Sequence, residues 1–139
     1  MDTETTRAVV RAIYDAYARR DFETVAAYLA DGIDWMIYAP VDVFPFAGPR
    51  KGRKDVLTTL ADIAALYAVE SYRPEAQVVD GDRAAVLSDV SFVQRASGRT
   101  LRFRIADFLR LEDGRVVEFR EFMNTLDVAE QALGRFIVR

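Results

Sequence analysis

Two carboxylates, Asp107 and Glu121, fall where the alternation of their strands calls for apolar side chains. From Thr100 to Leu111, the residues Leu101, Phe103, Ile105, Leu109 and Leu111 share one face by the period-two rule, and Asp107 sits among them. In the next stretch Val117, Phe119 and Met123 form the matching row, which Glu121 interrupts. A carboxylate on an apolar wall has its neutral form favoured by desolvation, so its pKa rises toward neutrality and it can give or take a proton. Two on one wall would split into one ionised and one protonated group by mutual repulsion. The alternative for Asp107 is a structural acid whose oxygens are satisfied by backbone donors or by a tyrosine.

Whether the two acids meet depends on how their strands are joined. If Glu112-Asp113-Gly114 is a three-residue loop, Leu111 faces Arg115, Asp107 faces Phe119 and Ile105 faces Glu121. Asp107 and Glu121 are then diagonal neighbours on one face, roughly 7–8 Å apart at the backbone. A two-residue turn would put them on opposite faces. Arg102, Arg104 and Arg110 have the opposite parity to Asp107 and belong on the outer face, beside Glu118 and Arg120, as cross-strand ion pairs or a subunit contact.

The chain lacks both histidine and cysteine. Ser-His and Cys-His arrangements, disulfides and cysteine metal sites are thereby excluded, and acid-base work falls to Asp, Glu, Tyr or Lys. Carboxylates alone make a poor transition-metal site, and neither calcium-loop spacing nor a glycine-rich phosphate motif is present. We expect no metal and no cofactor. A net charge of −3 gives no basic footprint for nucleic acid or an anionic membrane surface. No stretch approaches the ~18 apolar residues of a membrane span, and the N-terminal residues do not read as a leader, so a cytoplasmic protein is expected. With 139 residues, of which 51% are hydrophobic, a single domain over residues 1–139 is expected.

The elements that would position the acids follow from periodicity. Val10, Ile13, Tyr14 and Tyr17 mark one amphipathic helix over Thr3 to Arg19, with Thr3, Thr5 or Thr6 available as caps. Asp21 opens a second helix with the stripe Phe22, Val25, Ala26 and Leu29, closing at Asp31-Gly32. A strand from Ile33 to Ala39 stops at Pro40, and Pro40 to Gly52 reads as an irregular, unpaired loop carrying the exposed-looking Phe44 and Phe46. A third helix over Lys54 to Tyr67 follows, burying Leu57, Leu60, Ile63, Ala64 and Tyr67. Four hairpin-linked strands come next, at Ser71 to Val79, Arg83 to Gln94, Leu101 to Leu111 and Arg115 to Asn124. Leu126, Ala129, Ala132 and Leu133 mark a short last helix before Gly134 and the tail Arg135 to Arg139; Asn124 either closes a pocket or caps that helix. Helices followed by a curved antiparallel sheet make an α+β arrangement that leaves a cavity between the two layers.

Aromatic and apolar walls for that cavity are available. Tyr14 and Tyr17 lie on the inner stripe of the first helix, and Trp35 and Ile37 lie on the first strand, with Tyr38 at its end. Val86, Ser88, Val90 and Phe92 share a strand face where Ser88 would add a hydroxyl, and Phe44 and Phe46 would close the mouth. Aromatics in such places also serve as plain core.

Several runs are familiar. Arg-Arg-Asp-Phe-Glu between two short helices, Leu-Ala-Asp-Gly-Ile-Asp-Trp, Pro-Phe-Ala-Gly-Pro-Arg-Lys-Gly-Arg and the final Glu-Asp-Gly-Arg-Val-Val-Glu-Phe-Arg-Glu-Phe-Met-Asn-Thr together resemble the SnoaL-like and ketosteroid-isomerase-like branch of the nuclear-transport-factor-2-like superfamily. The resemblance implies a cystatin-like fold, a cone-shaped α+β barrel whose N-terminal helices pack in a curved antiparallel sheet around a pocket. It also implies a homodimer. The superfamily hosts isomerases, polyketide cyclases, dehydratases, epoxide hydrolases and proteins without catalysis. Against the ketosteroid isomerase pattern, the inward acid of the penultimate strand falls on Asp107. The general-base aspartate falls on or near Ile37, and the helical tyrosine on Ile13 rather than Tyr14, so a SnoaL-like cyclase is the closer precedent.

Two readings result. In the first, Asp107 moves a proton at a carbon beside a carbonyl, Tyr14 or a protonated Glu121 holds the enolate oxygen, and the chain is a cofactor-independent isomerase, cyclase or lyase. A small hydrophobic or carbonyl-containing ligand would lie against Tyr17, Trp35, Ile37, Phe46, Ser88, Val90, Phe103, Phe119 and Met123. In the second, the same cone is a non-catalytic ligand-binding or dimerisation module.

Overall fold

The computed structural model describes residues 1–138, so Arg139 at the end of the expected tail lies outside it. Helix α1 (Thr3–Ala18) is capped not by a threonine but by Asp2, whose carboxylate accepts from the Thr5 amide at 2.7 Å. Asp21 caps α2 (Phe22–Ala27) through the amide and hydroxyl of Thr24. This helix is shorter than its apolar stripe predicts. Leu29 opens strand β1 (Leu29–Ile37) by pairing with Val116, so Asp31-Gly32 lies inside a strand and closes no helix. Pairing along a sheet outweighs a short helical periodicity here.

The proline-rich segment is also more ordered than expected. Strand β2 (Gly48–Lys51) pairs antiparallel with β1, and Pro49 is tolerated because β2 is the edge of the sheet. Arg50 ties the segment together, donating to Thr59 Oγ1 at 3.0 Å and to the carbonyls of Pro45, Ala47 and Pro49. Phe44 is only 3% exposed and belongs to the core.

Helix α3 (Arg53–Leu66) ends one residue before the buried Tyr67, which begins β3 (Tyr67–Asp80). Its buried face is Val56, Thr59, Leu60 and Ile63, so Leu57 and Ala64 are only partly covered. Strands β4 (Arg83–Gln94), β5 (Thr100–Glu112) and β6 (Arg115–Met123) complete the meander before α4 (Thr125–Leu133). Asn124 caps α4 by accepting from the Asp127 amide, and Gly134 closes it in the left-handed conformation. Val128, Ala129 and Ala132 are its buried residues, whereas Leu126 and Leu133 face outward.

The sheet runs β2-β1-β6-β5-β4-β3, antiparallel throughout except that β1 lies parallel to β6. It is curved and unclosed, with the N-terminal helices packed against it, as the α+β expectation requires. Irregular register in β3, between Val69 and Ser71 and between Pro74 and Ala76, increases its bend. No helix among the described residues is long and apolar enough to cross a membrane.

The β5–β6 connection differs from both expectations. Asp113 (φ 50°) and Gly114 (φ 78°) form a two-residue turn, so Glu112 pairs with Arg115 and Leu111 with Val116. Val117 is then bulged, and Arg110 pairs with Glu118. Val116, not Val117, is therefore the buried residue of the inner row. The extra residue restores the parity that the short turn would have reversed, and Asp107 pairs directly with Glu121.

Candidate functional site

Between α1 and the inner sheet face lies an apolar cavity of about 110 Å³, space for several water molecules. Tyr14 and Tyr17 of α1 form one wall, and Trp35 and Ile37 of β1 another. Phe103 and Asp107 face it from β5, Phe119, Glu121 and Met123 from β6, and Phe46 from the segment before β2. Ser88 and Val90 are buried on the same sheet face but do not border the cavity, so the expected serine hydroxyl is not part of its wall. Tyr67, Tyr72 and Phe92 also line it, in a chain of edge-on ring contacts, as does the buried Phe44. Tyr67 and Tyr72 come from the start of β3, which periodicity places too late and partly inside the preceding helix. No alternation marks them, since Pro74 and Ala76, which continue the parity of Tyr72, are exposed.

Trp35 stacks on Phe119 with ring centroids 4.1 Å apart, as their parallel β1–β6 pairing requires. Its indole N–H is buried without an acceptor. Trp35 borders the cavity together with Glu121, which lies two residues beyond Phe119.

Asp107 is only 1% exposed. Its Oδ2 accepts from the Tyr14 hydroxyl at 2.5 Å, a short bond of the kind a charged acceptor makes. Oδ1 has no partner among the amide, hydroxyl and cationic donors, and the Glu121 carboxyl is the group that hydrogen-bonds Asp107 beside Tyr14. Burial raises the Asp107 carboxyl to about 6, offset by interactions with Glu121 and Tyr14. Glu121, directly opposite and partly accessible on the cavity wall, is pushed well above the ordinary carboxylate range by burial and then by the Asp107 charge. Near neutral pH the pair therefore shares one proton and one negative charge, with Glu121 the more strongly raised of the two. Burial, reinforced by these acids, also raises the Tyr14 and Tyr72 hydroxyls well above 10, so both stay protonated donors.

Ile13 and Tyr14 both border the cavity, and it is Tyr14 that reaches Asp107, so a one-residue offset in the helix does not remove the tyrosine from the site. At Ile37 the wall is apolar and provides no base. Of the outer-face arginines, Arg104 pairs across strands with Glu75 at 3.0 Å and Arg120 with Asp34 at 3.2 Å, whereas Arg110 pairs within its own strand with Glu112 at 2.8 Å and Arg102 is in none of these pairs.

A family model of the SnoaL-like domain matches residues 10–119, a span from α1 to the cavity-facing Phe119. The chain belongs to the SnoaL-like family. Solved structures agree. A candidate isomerase from Rhodopseudomonas palustris is 36% identical with a TM-score of 0.81, covering 91% of this chain and 93% of its own. A candidate ketosteroid isomerase from Kribbella flavida is 24% identical, with a TM-score of 0.68 and coverages of 88% and 79%. An LEH-like epoxide hydrolase of M. tuberculosis, 17% identical, shares the fold at a TM-score of 0.77 over 95% of this SnoaL-like chain and 92% of its own. No curated protein is detectably similar in sequence.

Proposed function

We propose that this SnoaL-like protein is a cofactor-independent enzyme that moves a proton at a carbon beside a carbonyl, as an isomerase, cyclase or lyase would. The observation that carries this reading is the direct Asp107–Glu121 pair on an apolar cavity wall, with Tyr14 bonded to Asp107. Two buried acids are a poor way to build a passive core, because each is desolvated without a cation to balance it. Asp107 has almost no accessible surface, whereas Glu121 has some, so Glu121 is the member that touches ligand and Asp107 acts through it.

Passing the Glu121 proton to Asp107 leaves a Glu121 carboxylate toward the cavity. That carboxylate takes the proton from the ligand carbon, and the bond's electron pair moves onto the carbonyl oxygen. The unpartnered Trp35 N–H is a donor for the resulting enolate. Glu121 then returns its proton to the same carbon, giving exchange, or to a conjugated one, giving isomerisation. Nothing is consumed, and the apolar walls keep water from the enolate.

The test uses 2-tetralone, a neutral ketone with acidic C–H bonds, in deuterated water. Accelerated deuterium uptake by the wild type, reduced about 100-fold or more in both Glu121→Gln and Asp107→Asn, is expected. Uptake no faster than in buffer, or unchanged by Glu121→Gln, would leave the cavity as a binding site only.

A homodimer through the outer sheet face is part of the same reading. Phe108 (51% exposed) and Phe122 (44% exposed) meet edge to face there, and Tyr38 stacks on Phe122 at 4.6 Å. An exposed aromatic cluster rimmed by the Arg104, Arg110 and Arg120 ion pairs has the composition of an interface core with a polar rim.

A further inference from the structure

Arg20 occupies a backbone position that favours glycine. The Asp21 amide donates to the Ala16 carbonyl at 2.9 Å and the Arg20 amide to the Tyr17 carbonyl at 3.0 Å, so α1 ends in a closing motif whose hinge residue must be left-handed. Arg20 takes that role at φ 59°. Among the described residues Asp113 is the other non-glycine at positive φ, and aspartate tolerates the conformation far better than arginine.

The side chain held there is a cation with no counter-ion. Both terminal guanidinium nitrogens are buried, and neither donates a well-formed hydrogen bond to the protein. The neighbouring carboxylate, Asp21, is engaged by Thr24 and by Arg19 instead. What the guanidinium touches is aromatic: its carbon lies 4.8 Å from the centre of the Tyr17 ring and 5.7 Å from that of Phe22. Tyr17 is itself a wall of the cavity. One ring therefore separates a positive charge without a counter-ion from the ligand space, and the Tyr17 hydroxyl, raised first by burial, is lowered by Arg20 and raised again by the Glu121 and Asp107 acids.

We propose that Arg20 is an anion anchor for the cavity, and that the ligand is a flat, largely apolar molecule bearing one carboxylate. Its carboxylate pairs with the Arg20 guanidinium once the Tyr17 ring that stands between them turns aside, while its body lies along the aromatic walls toward Glu121. The charge arrangement sets the direction of binding. An anionic group is repelled from the Asp107 end and drawn to the α1–α2 end, which turns the neutral, carbonyl-bearing part toward the acid pair. A buried guanidinium awaiting a carboxylate also accounts for a left-handed arginine, since the strain is retained where the side chain is needed. This inference rests on the reading that the cavity is the ligand site.

The test is a calorimetric titration at pH 7.5 with 2-naphthoate and the neutral 2-naphthamide, which have the same shape. Wild type is expected to bind naphthoate at least about tenfold more tightly, with the preference lost in Arg20→Gln and partly kept in Arg20→Lys. Without ligand, Arg20→Gln and Arg20→Gly are expected to melt no lower than wild type, because each removes an unpaired buried charge and glycine also relieves the backbone. Equal binding of the two probes, binding of neither, or a preference that survives Arg20→Gln would overturn the proposal. So would a lower melting temperature with the preference intact, the mark of a purely structural cation–π contact. Failure of the proton-transfer reading shows separately, in the exchange of 2-tetralone, which bears no anion.

Discussion

Asp107 and Glu121 face each other across β5 and β6 because a two-residue turn and a bulge at Val117 compensate each other's effect on parity. Under the proposed proton transfer, one proton shared by this pair is expected to make activity bell-shaped in pH. The rising limb follows ionisation of Asp107 near 6, and the falling limb follows loss of the Glu121 proton, well above the usual carboxylate range. The check is a carboxyl-carbon NMR titration assigned with Asp107→Asn and Glu121→Gln, run beside the rate of 2-tetralone exchange. Two midpoints in the ordinary carboxylate range would refute it.

The same shift governs stability. Asp107 has a folded pKa of about 6 against an ordinary 3.8, so between those values the folded state binds more protons than the unfolded one. Stability from this group is therefore present below pH ~4, falls as pH rises toward ~6 and is flat above. Asp107→Asn escapes that loss. At pH 7.5 it is expected to be more stable than wild type by on the order of 2–3 kcal/mol, an advantage that vanishes below pH ~4. Denaturant midpoints at the two pH values read this directly.

Tyr14 stabilises the ionised form of Asp107 through its 2.5 Å hydrogen bond. Tyr14→Phe leaves the ring and removes the donor, so the Asp107 midpoint is expected to rise further and the acidic limb of the rate profile to move up with it. Loss of a buried bond to a charged group lowers stability by about 1.5–3 kcal/mol at pH 8, and by less at pH 5, where Asp107 is protonated. An equal loss at both pH values would mean that the hydroxyl bonds a neutral acid.

The inward acids and the meander were legible because period-two alternation over β4 and β5, and over β6 beyond its bulge, runs for many residues. Asp107 stands out against Ile105 and Leu109 whatever the register. Its partnership with Glu121 was not legible, since a single bulged residue decides it and Val116-Val117 offers two equally apolar candidates for the inner position. Leu29 misled for a different reason: it continues a helical stripe, and its pairing with Val116, distant in sequence, makes it a strand. Arg20 was invisible as a site residue because a basic residue between two helices reads as a solvated link, and its burial depends on where Tyr17 and Phe22 bring their rings.

Trp35 is the sole tryptophan and is stacked on Phe119 in the cavity wall. Its fluorescence therefore reports on the cavity. Emission should lie at the blue end of the tryptophan range in the free protein and change in intensity with 2-tetralone or 2-naphthoate. Phe119→Leu should shift the free spectrum by removing the stacked ring, while Phe108→Glu on the outer face should leave it alone. A spectrum indifferent to saturating ligand would place binding outside this cavity.

The outer face gives the last prediction. Phe108 and Phe122 touch each other on adjacent strands, and both are half exposed in the single chain. A standard interface removes about 800 Å² from each partner, and the aromatic cluster of Tyr38, Phe108 and Phe122 supplies its apolar centre. The double variant Phe108→Glu with Phe122→Glu is expected to sediment as a monomer where the wild type sediments as a dimer. Because these side chains point away from the core, the variant should keep its fold, as measured by circular dichroism. The Asp107 midpoint should stay near 6, since the acid's environment is built entirely within one chain. A wild type that sediments as a monomer at micromolar concentration would dispose of the dimer while leaving the cavity chemistry untouched.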